Sequence, residues 1–259
     1  LRAVDLVEAA ATTAFAEGAK AERAAFLALR GSDQAAALRH VFFAERAAQR
    51  PRGSAAGIDR AVVVGGGNMG AAIAYALAGA GIAVTLVETD TAALERARAN
   101  VTRLCAHAAE RGKTSAEAAS ATLARMDFVA GYDALPPAPL AIEAAFENID
   151  VKRAIFASLA ASLPADAVLA TNTSYLDVNA IAASVPDPGR VLGLHFFSPA
   201  HIMKLLEIVR ADATRDETLA TGFGLAARLR KIPVPAGVCD GFIGNRILTR
   251  YRQICDVML

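Results

Sequence analysis

Cysteine is scarce in this chain, and its three cysteines, Cys105, Cys239 and Cys255, are widely separated. They form no C-x-x-C pair and no cysteine and histidine spacing typical of zinc, so we predict reduced thiols and no metal site. Long apolar runs are also missing, because none approaches the roughly 20 residues that span a bilayer. The N-terminus carries no basic-then-apolar export signal. We therefore expect a cytoplasmic protein without a membrane span.

Net charge is nearly absent as well, since 27 Lys and Arg residues balance 26 Asp and Glu residues. Such a chain exerts no long-range attraction on nucleic acid or an anionic membrane, so any anionic ligand must be held by a local site. The composition is 54% hydrophobic and 20% charged, which is typical of a folded domain. Its length predicts one main domain with a smaller additional piece.

The order of patterns along the chain predicts how it is organised. Helical periodicity over the first 49 residues indicates two or three helices, with Ser32 or Asp33 as an N-cap. Residues 50–57 combine Pro, Gly and Ser without periodicity, which is typical of a linker. Short apolar runs then alternate with helical patterns, at 61–64, 84–88, 140–143, 168–171 and 191–197. This alternation predicts βαβ units around a parallel sheet.

The remainder of the chain predicts further strands and helices. Residues 204–209 and 232–234 are expected to be strands, and 217–229 a helix between them. The helical spacing after Asp240 looks like the opening of a second, all-α domain. Because the chain begins without methionine and stops inside an apparent helix, we expect the natural protein to extend in both directions.

A glycine-rich turn follows the strand predicted at 61–64. Gly65 permits the tight turn, Gly67 lets the backbone approach a pyrophosphate, and Gly70 lets the next helix pack closely. That helix begins near Asn68 and Met69, where free N–H groups and the positive dipole end favour phosphates. The sequence therefore predicts a dinucleotide site.

The next predicted strand ends in Glu88, at the distance expected for the acidic residue that binds the adenosine ribose hydroxyls. Its carboxylate would repel a 2′-phosphate, which favours NAD over NADP. The predicted fold class is α/β, a doubly wound Rossmann-type sheet with linker helices before it and the start of an all-α domain after it. The predicted domains are 1–57, 58–239 and 240–259.

Four histidines are available as proton carriers. His40 and His107 lie on polar-flanked helical stretches, and we expect them to be solvated. His195 ends an apolar strand, at the sheet edge where doubly wound folds bind ligands. A buried structural histidine is the alternative. Glu207 in the next predicted strand disfavours this alternative, because the loop between the two strands could bring its carboxylate back to the imidazole. The carboxylate would then orient the ring and stabilise its protonated form.

Five ordered stretches resemble the L-3-hydroxyacyl-CoA dehydrogenase family over about residues 58 to 259: GGGNMG, AIEAAFENIDVK, ATNTSYL, GLHFFSPAHIMKLLEIV and GFIGNRI. The resemblance implies that His195 is the general base or acid and Glu207 its partner. It also implies that Ser174 and Asn245 hydrogen-bond the substrate oxygens.

The resemblance further implies that Glu147 and Lys152 lie near the nicotinamide end of the cofactor. From local chemistry alone, Ser174 could equally cap a turn, Asn245 could lie on a helix surface, and Glu147 with Lys152 could form an exposed helical ion pair. Family members commonly carry Asn where this chain has Ser198. A contact to the nicotinamide side is therefore expected to be lost or replaced by water.

The N-terminal helices resemble the linker that joins an enoyl-CoA hydratase domain to the dehydrogenase in multifunctional β-oxidation proteins. The resemblance implies NAD-dependent oxidation of an acyl-CoA substrate, in a parent protein that is a homo-oligomer or associates with a thiolase. Two alternatives stay open, namely a short-chain 3-hydroxybutyryl-CoA dehydrogenase and a noncatalytic dinucleotide-binding scaffold.

Overall fold

A computed structural model of the chain describes residues 2–48 and 57–258. These residues divide into two compact units, one on each side of the gap at 49–56. The linker predicted at 50–57 lies, apart from Gly57, outside the described residues.

The first unit consists of three helices, α1 (Arg2–Ala10), α2 (Phe15–Arg30) and α3 (Asp33–Ala48). Three is the upper end of the predicted number. The side-chain oxygen of Ser32 accepts a hydrogen bond from the backbone N–H of Ala35 at 3.2 Å. Ser32 is therefore the N-cap of α3, one of the two predicted candidates.

The described residues of the second unit form eight strands, seven α-helices and one short 3-10 helix (Pro188–Arg190). The strands are β1 (Arg60–Val64), β2 (Ala83–Glu88), β3 (Met126–Ala130), β4 (Leu140–Glu143), β5 (Val168–Thr171), β6 (Val191–Phe196), β7 (Leu205–Arg210) and β8 (Ile232–Gly237). The helices are α4 (Asn68–Gly79), α5 (Thr91–Glu110), α6 (Ala116–Leu123), α7 (Ile149–Ser162), α8 (Val178–Ala182), α9 (Asp216–Arg228) and α10 (Gly244–Met258).

The strands form one sheet in the order β3-β2-β1-β4-β5-β6-β7-β8. The first six in that order are parallel, β7 is antiparallel to β6, and β8 is parallel to β7. The chain adds β2 and then β3 on one side of β1, and then places β4 on the other side of β1. This reversal opens a crevice beyond the carboxyl ends of β1 and β4, where doubly wound sheets bind ligands.

Both faces of the sheet are covered by helices. Successive strand residues point to opposite faces, so Ala61 and Val63 pack in one apolar cluster while Val62 and Val64 pack in another. The first cluster includes residues of α4, α5, α6 and α9, and the second includes residues of α7 and α8. The predicted α/β, doubly wound Rossmann-type class is confirmed.

Two strands differ from the predictions. The sequence reading missed β3, which lies at a sheet edge and in which Met126 is the one buried residue, so its apolar signal is weak. β8 runs to Gly237 instead of ending at residue 234. β8 continues through Pro235 because it occupies the other edge of the sheet, where a missing backbone N–H is tolerated.

None of the helices in residues 2–48 and 57–258 combines the length and the apolar character needed to cross a bilayer.

We predict that Leu169→Ala lowers the free energy of unfolding by about 2–5 kcal/mol, because the wild-type side chain in β5 is fully buried and the change leaves a cavity. Urea unfolding followed by circular dichroism measures the change. Leu248→Ala in α10 is the control, since Leu248 is 42% exposed, and it should change stability by about 0.5 kcal/mol or less. Equal losses in both variants would contradict the assigned core.

Candidate active site

The glycine turn between β1 and α4 has the geometry that its spacing predicts. Gly65 adopts φ +93°, and a Cβ there would meet the carbonyl oxygen of Ala144 at 2.8 Å. A Cβ at Gly70 would overlap the carbonyl oxygen of Gly65, so the start of α4 can pack against the turn only without a side chain. A Cβ at Gly67 meets nothing within 4 Å, so the backbone there borders open space. The turn therefore leaves room for a ligand at Gly67.

This open space belongs to a crevice of about 960 Å³ at the carboxyl ends of the strands. Of the predicted site residues, those that line it are Gly65, Gly67, Asn68, Met69, Glu88, Glu147 and Ser174. The carboxylate of Glu88 accepts a hydrogen bond from the backbone N–H of Gly66 at 2.6 Å, which fixes the end of β2 against the turn.

Tyr132 also lines the crevice, and the sequence reading did not single it out. Burial raises the pKa of Tyr132 to about 12, with further contributions from the charges of Glu143 and Glu88. Its phenol is therefore neutral at physiological pH.

A buried ion pair lies beneath the crevice. Lys152 and Glu143 are 1% and 0% exposed, and their Nζ and Oε1 atoms are 2.7 Å apart. Glu143 also accepts hydrogen bonds from the backbone N–H of Ala145 and from the hydroxyl of Thr171, each at 2.7 Å. Lys152 is thus buried, and the alternative of an exposed helical pair with Glu147 is wrong. The pair joins β4 to α7, and the hydrogen bond from Thr171 connects β5 to it.

Glu147 connects this pair to the crevice wall. One of its oxygens accepts hydrogen bonds from the hydroxyl of Thr173 at 2.5 Å and from the backbone N–H of Ser174 at 2.8 Å. Its other oxygen is 3.3 Å from Nζ of Lys152. Partial burial raises the pKa of Glu147, but these hydrogen bonds and the lysine charge outweigh it and hold that pKa below its usual value.

His195 and Glu207 are direct partners in the antiparallel pairing of β6 with β7. Nδ1 of His195 is 2.6 Å from Oε2 of Glu207, and the two side chains are 4% and 1% exposed. The other carboxylate oxygen accepts hydrogen bonds from the backbone N–H groups of Ile243 at 3.1 Å and Gly244 at 2.8 Å. The contact expected between imidazole and carboxylate is present.

Burial raises the pKa of the Glu207 carboxyl, but the hydrogen bond with His195 and the two backbone donors outweigh burial. The pKa of Glu207 therefore lies below its usual value, and the side chain is an anion at neutral pH. A buried anion at this distance stabilises a positive charge on the ring.

The remaining predicted residues, Asn245 and Ser198, are not among the crevice-lining residues, whereas Asn172, which was not predicted, is. Asn172 lines the crevice and accepts a hydrogen bond from the backbone N–H of Phe196 at 2.9 Å, which joins the strand end of His195 to the crevice wall. Asn245 is the second residue of α10 and follows Gly244 directly. Ser198 is exposed, precedes a cis peptide bond to Pro199, and is not among the crevice-lining residues. Of the other histidines, His40 and His107 are exposed, as predicted.

The sequence reading missed Glu143, Thr171 and Thr173. Glu143 ends a buried strand, as Glu88 does, and that position was the available signal. Among residues 2–48 and 57–258, no group of three or more His, Cys, Asp or Glu side chains is placed to hold a metal.

A sheet that reverses its order at β1, a glycine turn and an acidic residue after β2 together define a dinucleotide-binding domain. A family model described as the NAD binding domain of 3-hydroxyacyl-CoA dehydrogenase matches residues 60–239. The chain belongs to the 3-hydroxyacyl-CoA dehydrogenase family, and NAD is the cofactor of its matched domain.

Relatives and solved structures agree with this assignment. The peroxisomal bifunctional enzyme of Cavia porcellus is 38% identical over 263 residues, which cover 98% of this chain and 36% of that protein. FadB2 of M. tuberculosis is 35% identical with a TM-score of 0.74 over 76% of this chain and 70% of that chain. The 3-hydroxybutyryl-CoA dehydrogenase of Escherichia coli is 40% identical with a TM-score of 0.73, over 76% of this chain and 42% of that chain.

The chain spans about a third of the length of the curated relatives it matches. The expectation of a cytoplasmic location finds no support in these comparisons, because the names of the relatives refer to peroxisomes and glyoxysomes.

We predict that Lys152→Met lowers the free energy of unfolding by about 3–5 kcal/mol, because it leaves the Glu143 carboxylate buried without its cation. Arg153→Met is the matched control, since the neighbouring side chain is 45% exposed, and it should have little effect. Adding Glu143→Gln to Lys152→Met should recover part of the loss in chemical unfolding. A small effect of Lys152→Met alone would contradict the buried pair.

Acid should destabilise the chain partly through Glu147, whose pKa is lower in the folded than in the unfolded state. Its stabilising contribution is complete above the usual value of 4.5 and is lost as the pH falls through the lowered folded value. We expect Glu147→Gln to flatten the dependence of unfolding free energy on pH in this acid range. Asp127→Asn, the same kind of change at an exposed carboxylate on β3, is the matched control, and equal flattening in both variants would contradict the prediction. Urea titrations between about pH 3 and pH 7 measure both curves.

Proposed function

We propose that the chain oxidises L-3-hydroxyacyl-CoA thioesters to 3-oxoacyl-CoA with NAD, with His195 as general base or acid and Glu207 as its partner. The observation that carries the proposal is the distance of 2.6 Å between Nδ1 of His195 and Oε2 of Glu207, at the strand end joined to the crevice wall through Asn172.

The crevice fits a dinucleotide. Open space at Gly67 admits a pyrophosphate, the free N–H groups at the start of α4 face it, and Glu88 at the end of β2 suits the adenosine ribose hydroxyls. Asn68 and Met69 line the same end. NAD, when bound, supplies the acceptor for the hydride that leaves C3 of the substrate.

The proton chemistry falls to His195. Glu207 engages Nδ1, and within the described part of the chain no hydrogen bond is made to Nε2, which leaves that nitrogen for the substrate 3-hydroxyl. As the hydride leaves C3, Nε2 takes the hydroxyl proton and the imidazole becomes a cation. The buried Glu207 anion stabilises that cation where water cannot. Such general base catalysis contributes about a hundredfold to ten-thousandfold.

Substrate and nicotinamide are held by the other predicted residues. Ser174 and Asn245 hydrogen-bond the substrate oxygens, and Glu147 fixes Ser174 through its backbone N–H. Glu147 and Lys152 lie at the nicotinamide end, and Ser198 takes the place of the more common Asn. Positioning C3 against the cofactor supplies the remaining acceleration.

The parent protein belongs to the proposal as well. We infer that residues 1–57 are a linker region from the end of a hydratase domain, 58–239 the cofactor domain, and 240–259 the beginning of a C-terminal dehydrogenase domain. A relative named bifunctional enzyme, which matches 98% of this chain, supports this reading. Action in fatty-acid β-oxidation and assembly as a homo-oligomer or with a thiolase follow from it.

One alternative has a specific observation in its favour, because a structure 40% identical to this chain is named 3-hydroxybutyryl-CoA dehydrogenase. Loss of NADH absorbance with acetoacetyl-CoA and with longer 3-oxoacyl-CoA thioesters tests both readings. The assay is run on this chain and on the longer protein that the proposal assumes. Turnover of acetoacetyl-CoA alone favours the short-chain enzyme, and turnover in neither protein favours the noncatalytic scaffold.

We predict that His195→Gln reduces kcat by about a hundredfold to ten-thousandfold, because glutamine cannot exchange the proton. The dissociation constant for NAD should stay nearly the same, since the glycine turn is unaltered. His107→Gln, which replaces an exposed histidine on α5, is the matched control and should keep full turnover. Unchanged turnover in His195→Gln would refute the assignment.

A further inference from the structure

The proposed function leaves most of the GFIGN stretch at 241–245 without a role, since only Asn245 takes part in it. Residues 241–244, here named the clamp segment, end the connection from β8 and include Gly244, the first residue of α10. The segment contacts the pair formed by His195 and Glu207. The backbone N–H groups of Ile243 and Gly244 hold Oε1 of Glu207, while Oε2 faces Nδ1 of His195. The two oxygens of one carboxylate thus have separate partners.

We propose that the clamp segment positions the imidazole and its carboxylate, with Gly244 and Phe242 as positioning residues. The inference rests on the proposed function, because the position of the ring affects turnover only if His195 moves a proton. A carboxylate held at one oxygen by two donors has a fixed plane, so the other oxygen stays directed at the ring. Without these donors, rotation of the carboxylate would misalign the bond to Nδ1.

The backbone of the clamp segment is bent to make this contact. Gly241 has φ +68° and Phe242 has φ +48°, in the left-handed region that side-chain-bearing residues rarely adopt. Consecutive residues in such a turn can direct successive N–H groups at one anion. A strained conformation persists when the surroundings fix it, and the Phe242 side chain is buried with 1% exposure.

Aromatic rings hold the imidazole from the side. The ring centroid of Phe242 is 5.6 Å from that of His195, and the ring centroid of Phe197 is 4.5 Å from it. Phe242 therefore contributes twice, because its backbone shapes the turn that binds Glu207 and its ring packs against His195.

Gly244 is the position at which this arrangement has no spare space. A Cβ there would meet two atoms of the Phe197 ring at 2.7 Å and 2.9 Å, and Oε1 of Glu207 at 3.6 Å. A methyl group must displace either the ring that packs on His195 or the N–H group that binds Glu207. Either displacement alters the geometry of the imidazole and its carboxylate.

The test compares Gly244→Ala with Gly237→Ala, the same change at the end of β8, where a Cβ meets nothing within 4 Å. Turnover is measured with acetoacetyl-CoA, NAD affinity by calorimetry, and the His195 Nδ1–H proton by NMR. We expect Gly244→Ala to lower kcat about tenfold to a hundredfold and to shift the ring-proton signal, with NAD affinity unchanged. Gly237→Ala should match the unsubstituted chain in all three measurements.

Phe242→Leu is the second variant, and it keeps the test decisive if Gly244→Ala does not fold. It keeps an apolar side chain at the buried position but removes the ring, so kcat and the ring-proton signal should again change while NAD affinity does not. If neither the unsubstituted chain nor the longer protein turns over acetoacetyl-CoA or the longer 3-oxoacyl-CoA thioesters, the proposed function fails, and the proton signal alone decides the inference. A signal unaltered in both variants, or absent from the unsubstituted chain, overturns it.

Discussion

Parallel pairing of β1 with β4 is the constraint on which the other features of the second unit depend. With β4 on the opposite side of β1 from β2, the connections leave the two central strands in different directions and a crevice opens beyond their ends. The glycine turn follows β1, and Glu143 ends β4. Because both are tied to the same pair of strands, the cofactor crevice and the ion pair beneath it form one structure.

Two buried carboxylates in this structure solve a similar physical problem. Glu143 and Glu207 are removed from water, where an uncompensated charge would be costly, and each is satisfied at both oxygens. Glu143 is paired with a lysine, and the pair joins β4 to α7. Glu207 faces an imidazole, and under the proposed function the same degree of burial serves proton transfer.

Local patterns predicted some parts of the site well. The turn at Gly65, Gly67 and Gly70 depends on consecutive residues, and its geometry agrees with the spacing in the sequence. The contact between His195 and Glu207 was also predictable, because neighbouring strands joined by a short loop place these residues opposite each other. The burial of Lys152 was not predictable, since its partners come from β4 and from the loop before α7.

By itself, the sequence determined the alternation of strands and helices, the glycine turn and the identity of the titratable residues, because each depends on short-range spacing or residue chemistry. The tertiary structure decided what surrounds those residues. It placed β3 at one edge of the sheet and buried Glu143 with Lys152. It also brought the backbone N–H groups of Ile243 and Gly244 to Glu207. Such contacts join different strands, helices and loops, so they are set by how these elements pack and not by any local pattern.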